Sequence, residues 1–340
     1  MSRDETNGSR RRSFFSPLTE IVRGELQRTI TAPALHCLGG LALVVLGFQV
    51  ATGFLLMAYY HPTMEGAHQS VAVLSDNVRL GWLVRALHAR GSDCLILLAV
   101  LYVISVFAAR GYQHPRQLAW ASGLLLLLAF AAFGVTGTLL PWDQFGYWMM
   151  ETARRAVESV PVVGGPLVLL ALGSDLGTEA LLRFHAIHVV ALPAVTLWLL
   201  AVHLLVIRLV GIADPRPERS PVPLFPDFLL WLLIAILLAV GALLSAAVIF
   251  PPSLLEPAAP LAPPADLTPQ WYLLPARAVL RSVPGGPGVL ILLAILLLLL
   301  LLPVIDPGPV RTRRGVLTRW ALGLLVCAAT LLLGLRGCAS

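Results

Sequence analysis

Seven stretches of this chain, approximately 34–60, 80–109, 117–140, 180–209, 224–250, 286–305 and 316–335, are apolar over enough length to cross roughly 30 Å of hydrocarbon. A chain so divided has few ways to fold. In lipid every backbone N–H and C=O must be satisfied internally, which leaves helices or a closed barrel, and runs of about 20 to 30 residues select helices. The composition agrees, with 58% hydrophobic and only 12% charged residues. The expected fold is therefore an all-α integral membrane protein, a four-helix bundle followed by three further transmembrane helices.

Residues 1–33 form a polar N-terminal segment with Arg10, Arg11 and Arg12 in a row, unlike a cleavable signal peptide. Residues 34–210 hold four spans, 211–223 (GIADPRPERSPVP) form a linker, and 224–335 hold three spans and a long loop. The loops at 141–179 and 251–285 are Pro/Gly-rich and amphipathic, which suits short surface helices. All 24 Lys/Arg positions are Arg. They cluster before the first span, between the second and third (Arg110, Arg116), after the fourth (Arg208, Arg216, Arg219) and between the last two (Arg311, Arg313, Arg314, Arg319). With a cytoplasmic N-terminus these regions share one side, as the positive-inside rule requires. The net charge of +6 is thus a membrane-orientation signal and not a nucleic-acid signature. Cys37, Cys94, Cys327 and Cys338 lack CxxC spacing and lie in or beside apolar segments, where free Cys behaves as a small hydrophobe.

Of the His within the spans, three stand out: His88, His188 and His203. Imidazole is rare in lipid-embedded helices, so each marks a functional site by default. His88 and His188 lie near the same end of their spans, and two His on separate helices can clamp a haem iron from opposite faces. From His188 to His203 the step is roughly 22 Å at about 1.5 Å per residue, so one helix offers a ligand near each membrane face. That geometry suggests electron transfer across a bilayer. Fourteen residues after His88 stands Tyr102, which would have to partner His203. Phenolate can ligate haem iron, yet such a pair would be high-spin or low in potential, and the residues leave the second haem open. Gly39 and Gly53, like Gly123 and Gly137, repeat the same period. A missing side chain lets a flat macrocycle lie against a helix; lone Gly pairs more often serve helix contact, but two pairs on the His period favour haem. His61, His68 and His114 fall in loops, and His185, three residues before His188, is a possible alternative ligand.

The segments HCLGG (36–40), FQVATGF (48–54), GWLVRALH (81–88), TGTLLPWDQFGYW (136–148) and RFHAIH (183–188) resemble the cytochrome b family of cytochrome bc complexes. The fifteen-residue His step, and Cys37 just before Leu38-Gly39-Gly40, are similar to the chloroplast and cyanobacterial plastoquinol-oxidising branch. FPDFLLW (225–231) and PQWYLLPARAVLRSVP (269–284) resemble that branch's separate three-span subunit, here joined to the first. The resemblance covers roughly residues 20–335.

It implies that His88 and His188 hold one haem b on the positive side and that His203 serves a second on the cytoplasmic side. Cys37 would carry a covalent haem through one thioether, and Arg85 and Arg208 would serve haem propionates. Pro141-Trp142-Asp143-Gln144 and Pro269-Gln270-Trp271-Tyr272 would wall a quinol-oxidation pocket. The family motif has Glu where this chain has Gln270, and an amide can hydrogen-bond a quinol oxygen but cannot take its proton. Asp143, Asp266 and Tyr272 are the nearby alternatives. The expected function is a haem- and quinone-binding subunit of a quinol-oxidising bc-type complex in a bacterial inner membrane. A Rieske-type iron–sulfur protein and a c-type cytochrome would be partners, since the chain has no CxxCH and no cluster ligands of its own, and the complex would be a homodimer. The alternative, favoured by Tyr102 and Gln270, is a one-haem cytochrome b acting as anchor or one-electron relay.

Overall fold

A computed structural model of the chain describes residues 27–213, 220–264 and 267–306, with scattered positions in 19–24 and 317–332. The chain runs through α1 (Pro33–Met57), the short α2 (Gly66–Asn77), α3 (Gly81–Ala108) and α4 (Gln117–Leu139). Two short helices, α5 (Gln144–Glu158) and α6 (Gly164–Leu172), lead into α7 (Thr178–Val210). Beyond the linker come α8 (Leu229–Ile249), the short α9 (Leu274–Ser282) and α10 (Gly286–Ile305).

Among the described residues six helices are long and apolar enough to cross a membrane. They coincide with the first six expected spans to within a few residues. The seventh, 316–335, is described only at scattered positions, and Asp266, Cys327 and Cys338 lie outside the described residues. The Pro/Gly-rich loops carry α5, α6 and α9, the short helices expected of them.

Helix starts follow local chemistry. Pro33, Pro275 and Pro287 open α1, α9 and α10, where a missing N–H costs nothing. Asp143 caps α5 by accepting the Gly146 N–H at 2.8 Å. In α7 a π turn spans Ile187–Ala191, just ahead of Pro193. Proline in a helix interior has no N–H to return to the preceding turn and its ring crowds the carbonyl there, which a wider turn relieves.

α1 packs on α3, α3 on α4 and α4 on α7, while α8 lies against α1 and α3 and α10 against α4 and α5. The buried residues fall in three layers. Leu139, Trp142, Tyr147 and Phe184 centre the layer at one end, Val45, Ile96, Phe130 and Leu199 the middle, and Leu35, Tyr112 and Trp120 the other end. The outward Leu residues of α8 and α10, among them Leu237 and Leu298, are exposed, as lipid-facing helices require.

The two halves are tied at both ends. At the first, Gln144 N–H donates to the Glu256 carbonyl (2.9 Å), Ala258 N–H to the Trp142 carbonyl (3.1 Å), and Leu255 N–H to Asp143 Oδ2 (3.2 Å). At the second, Arg110 and Tyr112 both engage Asp306, and Thr29–Ile30 pairs antiparallel with Val222–Pro223.

Candidate cofactor site

His88, His188 and His203 each have Nδ1 held by a hydroxyl from a neighbouring helix. Thr52 Oγ1 lies 2.9 Å from His88 Nδ1, Thr136 Oγ1 2.8 Å from His188 Nδ1, and Ser122 Oγ 2.9 Å from His203 Nδ1. Every one of these hydroxyls already donates to the carbonyl four residues before it: Thr52 to Phe48 (2.6 Å), Thr136 to Ala132 (2.8 Å), Ser122 to Leu118 (2.8 Å). Its oxygen is then free only to accept, so Nδ1 carries the ring proton and the lone pair is on Nε2. That is the tautomer a metal ligand needs.

The residue after each hydroxyl is glycine. A Cβ at Gly53, Gly123 or Gly137 would stand 3.3, 3.1 or 3.1 Å from Cε1 of His88, His203 or His188. Three of the glycines on the sequence period thus stand beside the imidazole edges of the candidate ligands. A hydroxyl–glycine couple at 52–53, 122–123 and 136–137 was visible in the sequence, and only the glycine half of it was read. The fourth position of the pattern is Leu38-Gly39, with no hydroxyl and with open space beside Gly39.

The ring centroids of His88 and His188 are 6.3 Å apart, with the ring planes at 65°. Two metal–nitrogen bonds of about 2.0–2.1 Å, plus about 1.2 Å from each nitrogen to its ring centre, require about 6.4 Å. That separation fits a pair of imidazoles that would hold one haem iron. Phe133 packs edge-on against His188 at 5.4 Å. His185 turns away, its ring 5.3 Å from that of Tyr60.

His203 and Tyr102 are arranged differently. Their centroids are 5.7 Å apart in a T-shaped contact, whereas a phenolate–metal–imidazole bridge needs about 8 Å with bonds of about 2 Å.

The π turn of α7 also explains the uneven spacing of the ligands. His88 and Tyr102, and both glycine pairs, are fourteen residues apart, but His188 and His203 are fifteen apart. A π turn takes up one extra residue, and His188 sits inside it.

The segment 269–273 docks on the middle of the bundle. Trp271 Nε1 donates to Asp93 Oδ1 at 3.2 Å, and the Tyr272 ring packs so closely on α4 that a Cβ at Gly134 would collide with its hydroxyl. Burial, and next the charge of Asp93, push the Tyr272 phenol above its ordinary range. Among the described residues Gln270 Oε1 and Tyr272 Oη, both buried, have no hydrogen-bond partner. Such groups cost about 1–3 kcal/mol each when left unmet, which makes this the place where a polar ligand belongs. Asp93 went unread in the sequence, where it looks like one more residue near the polar end of a span.

The other expected site residues are spread around this centre. Both Asp143 oxygens accept backbone N–H groups, from Gly146 and Leu255, so its carboxylate caps a helix and ties the halves together. Arg85 donates to the Pro252 and Ser253 carbonyls at 3.1 and 2.9 Å. Arg208 is exposed in the last turn of α7. Cys37 is a half-buried free thiol two residues before the open face of Gly39.

Comparison with known proteins agrees with this geometry. The model of the cytochrome b/b6/petB family matches residues 26–211, and that of the cytochrome b (C-terminal)/b6/petD family matches residues 257–340. A solved structure described as a hyperthermophilic respiratory Complex III is similar over 95% of this chain and 95% of its own, with 25% sequence identity and a TM-score of 0.79. Haem b and quinone binding come with that family. With both of its family models matched in order along one chain, this protein belongs to the cytochrome b/b6 family.

Proposed function

We propose that this chain oxidises a membrane quinol in the pocket walled by Gln270 and Tyr272, and passes an electron to a b haem held by His88 and His188. The observation that carries this reading is the His88–His188 pair, 6.3 Å apart with both lone pairs on Nε2. When bound there, haem supplies the one-electron redox chemistry. The chain's own residues do the rest. Thr52 and Thr136 orient the ligands, the Gln270 carbonyl can accept a quinol O–H, and the Tyr272 hydroxyl can donate to the other type of oxygen. A bc-type complex completes the reaction with a Rieske-type iron–sulfur protein and a c-type cytochrome, as a homodimer. The Arg distribution supports a bacterial inner membrane with the N-terminus cytoplasmic.

The contact between Tyr102 and His203 favours a second reading, in which the chain carries a single b haem and relays one electron without the second path across the bilayer. Cys37, beside open space at Gly39, is the position for a covalent haem that would complete that path. Acid–acetone extraction followed by pyridine haemochrome analysis tests both. One extractable haem per chain, reduced by quinol in the complex, is the expected result, with a further unextractable haem if Cys37 is loaded. No extractable haem would overturn the proposal; two would overturn the single-haem reading.

A further inference from the structure

Gln270 deprives the quinol pocket of a carboxylate at that position, and Asp143 is committed to capping. A carboxylate reaches the same segment from α3 instead. Asp93 Oδ1 accepts the Trp271 indole N–H at 3.2 Å, and its Oδ2 pairs with Arg90 Nη1 at 2.9 Å. The side chain is 30% exposed, while among the described residues Gln270 Oε1 and Tyr272 Oη, on the segment that carries Trp271, are buried and unpartnered. The titratable groups about it are Arg90 and Cys94 on α3 and Tyr272 from the docked segment, and of these only Arg90 carries a balancing charge. Asp93 is also five residues from His88 on one helix, roughly 7.5 Å along its axis.

Resting on the quinol-oxidation reading above, we propose that Asp93 is the proton acceptor of the quinol pocket. Oxidation of quinol to quinone releases two electrons and two protons. One quinol O–H bond breaks with its proton passing to the Asp93 carboxylate, which becomes the neutral acid and then yields the proton to water past Arg90. One electron would pass to the b haem that His88 and His188 would hold. The other electron and the other proton go to a one-electron metalloprotein acceptor outside this chain.

The test uses the assembled complex carrying Asp93→Asn, whose amide oxygen still accepts the Trp271 N–H; an unchanged b-haem spectrum checks folding. Haem reduction by quinol should slow by about 100-fold or more near neutral pH, as loss of a general base does, and recover as the pH rises. The infrared difference spectrum between oxidised and reduced complex should lose a carboxylic C=O signal that Asp93→Glu retains at a shifted position. Adding Gln270→Glu to Asp93→Asn should restore most of the rate. An unaltered rate, pH profile and infrared signal in Asp93→Asn would overturn this assignment and leave the quinol reading standing. A wild-type complex whose b haem quinol does not reduce would overturn that reading, and this one with it.

Discussion

His188 donates its Nδ1 proton to Thr136 Oγ1, 2.8 Å away, and Thr136 donates its own proton to the Ala132 carbonyl at the same distance. This relay sets the tautomer of the ligand without any charged group, in a part of the membrane where a carboxylate would be costly. Thr136→Val keeps the shape and removes the oxygen. Haem affinity should fall about 10- to 100-fold, the usual cost of losing a partner to a metal-binding His. Haem titration into the apo protein checks this, and an unchanged affinity and spectrum would show that the hydroxyl does not position the ring.

His188→Ala should abolish the low-spin b-haem spectrum while the chain stays in the membrane. His185→Ala should leave that spectrum in place, because His185 packs on Tyr60 and not toward His88. The opposite pattern in absorption spectra of the two variants would reassign the ligand.

The broken fourth position of the hydroxyl–glycine pattern can be repaired. Tyr102→His supplies the missing ligand opposite His203, and Leu38→Thr supplies the hydroxyl that the other three His possess. The double variant should bind one more b haem per chain than the wild type, and Tyr102→His alone should bind it more weakly, by about 10- to 100-fold. Haem-to-protein ratios decide the matter; equal ratios in wild type and double variant would mean that the second site is closed for another reason.

Outside the membrane, Glu151 of α5 is buried and receives Arg154 and Arg155 together, at 2.7 and 2.6 Å. The Arg154 hydrogen bonds first, then those of Arg155, hold its carboxyl at about 2, below the usual 4.5. A depressed carboxyl stabilises the fold above its unfolded value and loses that contribution as the pH falls toward the folded one. Thermal unfolding should therefore be insensitive to this group above about pH 4.5 and weaken between there and about pH 2. Glu151→Gln should be less stable at neutral pH, by about 1.5–3 kcal/mol for the charged hydrogen bonds, and should show a flatter acid limb. A variant with the wild-type acid limb would show that other groups govern it.

Much of this protein is written along one dimension. Span positions follow from apolar run length, because 30 Å of hydrocarbon demands about 20 residues wherever the run occurs, and α1, α3, α4, α7, α8 and α10 obey that rule. His88, His188 and His203 were legible as well, since a buried imidazole stands out in lipid and a helix converts residue count directly into depth. The uneven fifteen-residue step was visible too, but its cause was not. Pro193 marks the strain, and only the backbone shows that the relief is a π turn around His188.

What the sequence could not decide were contacts made across helices. Thr52 meets His88, Thr136 meets His188 and Ser122 meets His203 over 36, 52 and 81 residues of chain. Depth says that such residues share a level; it does not say which faces turn toward each other. The same limit hid the contact of Asp93 with Trp271, 178 residues away, and the structural use of Asp143. It also separates the two candidate haem levels. In sequence Tyr102 and His203 are as well matched in depth as His88 and His188, and only tertiary packing sets their ring centroids 5.7 and 6.3 Å apart.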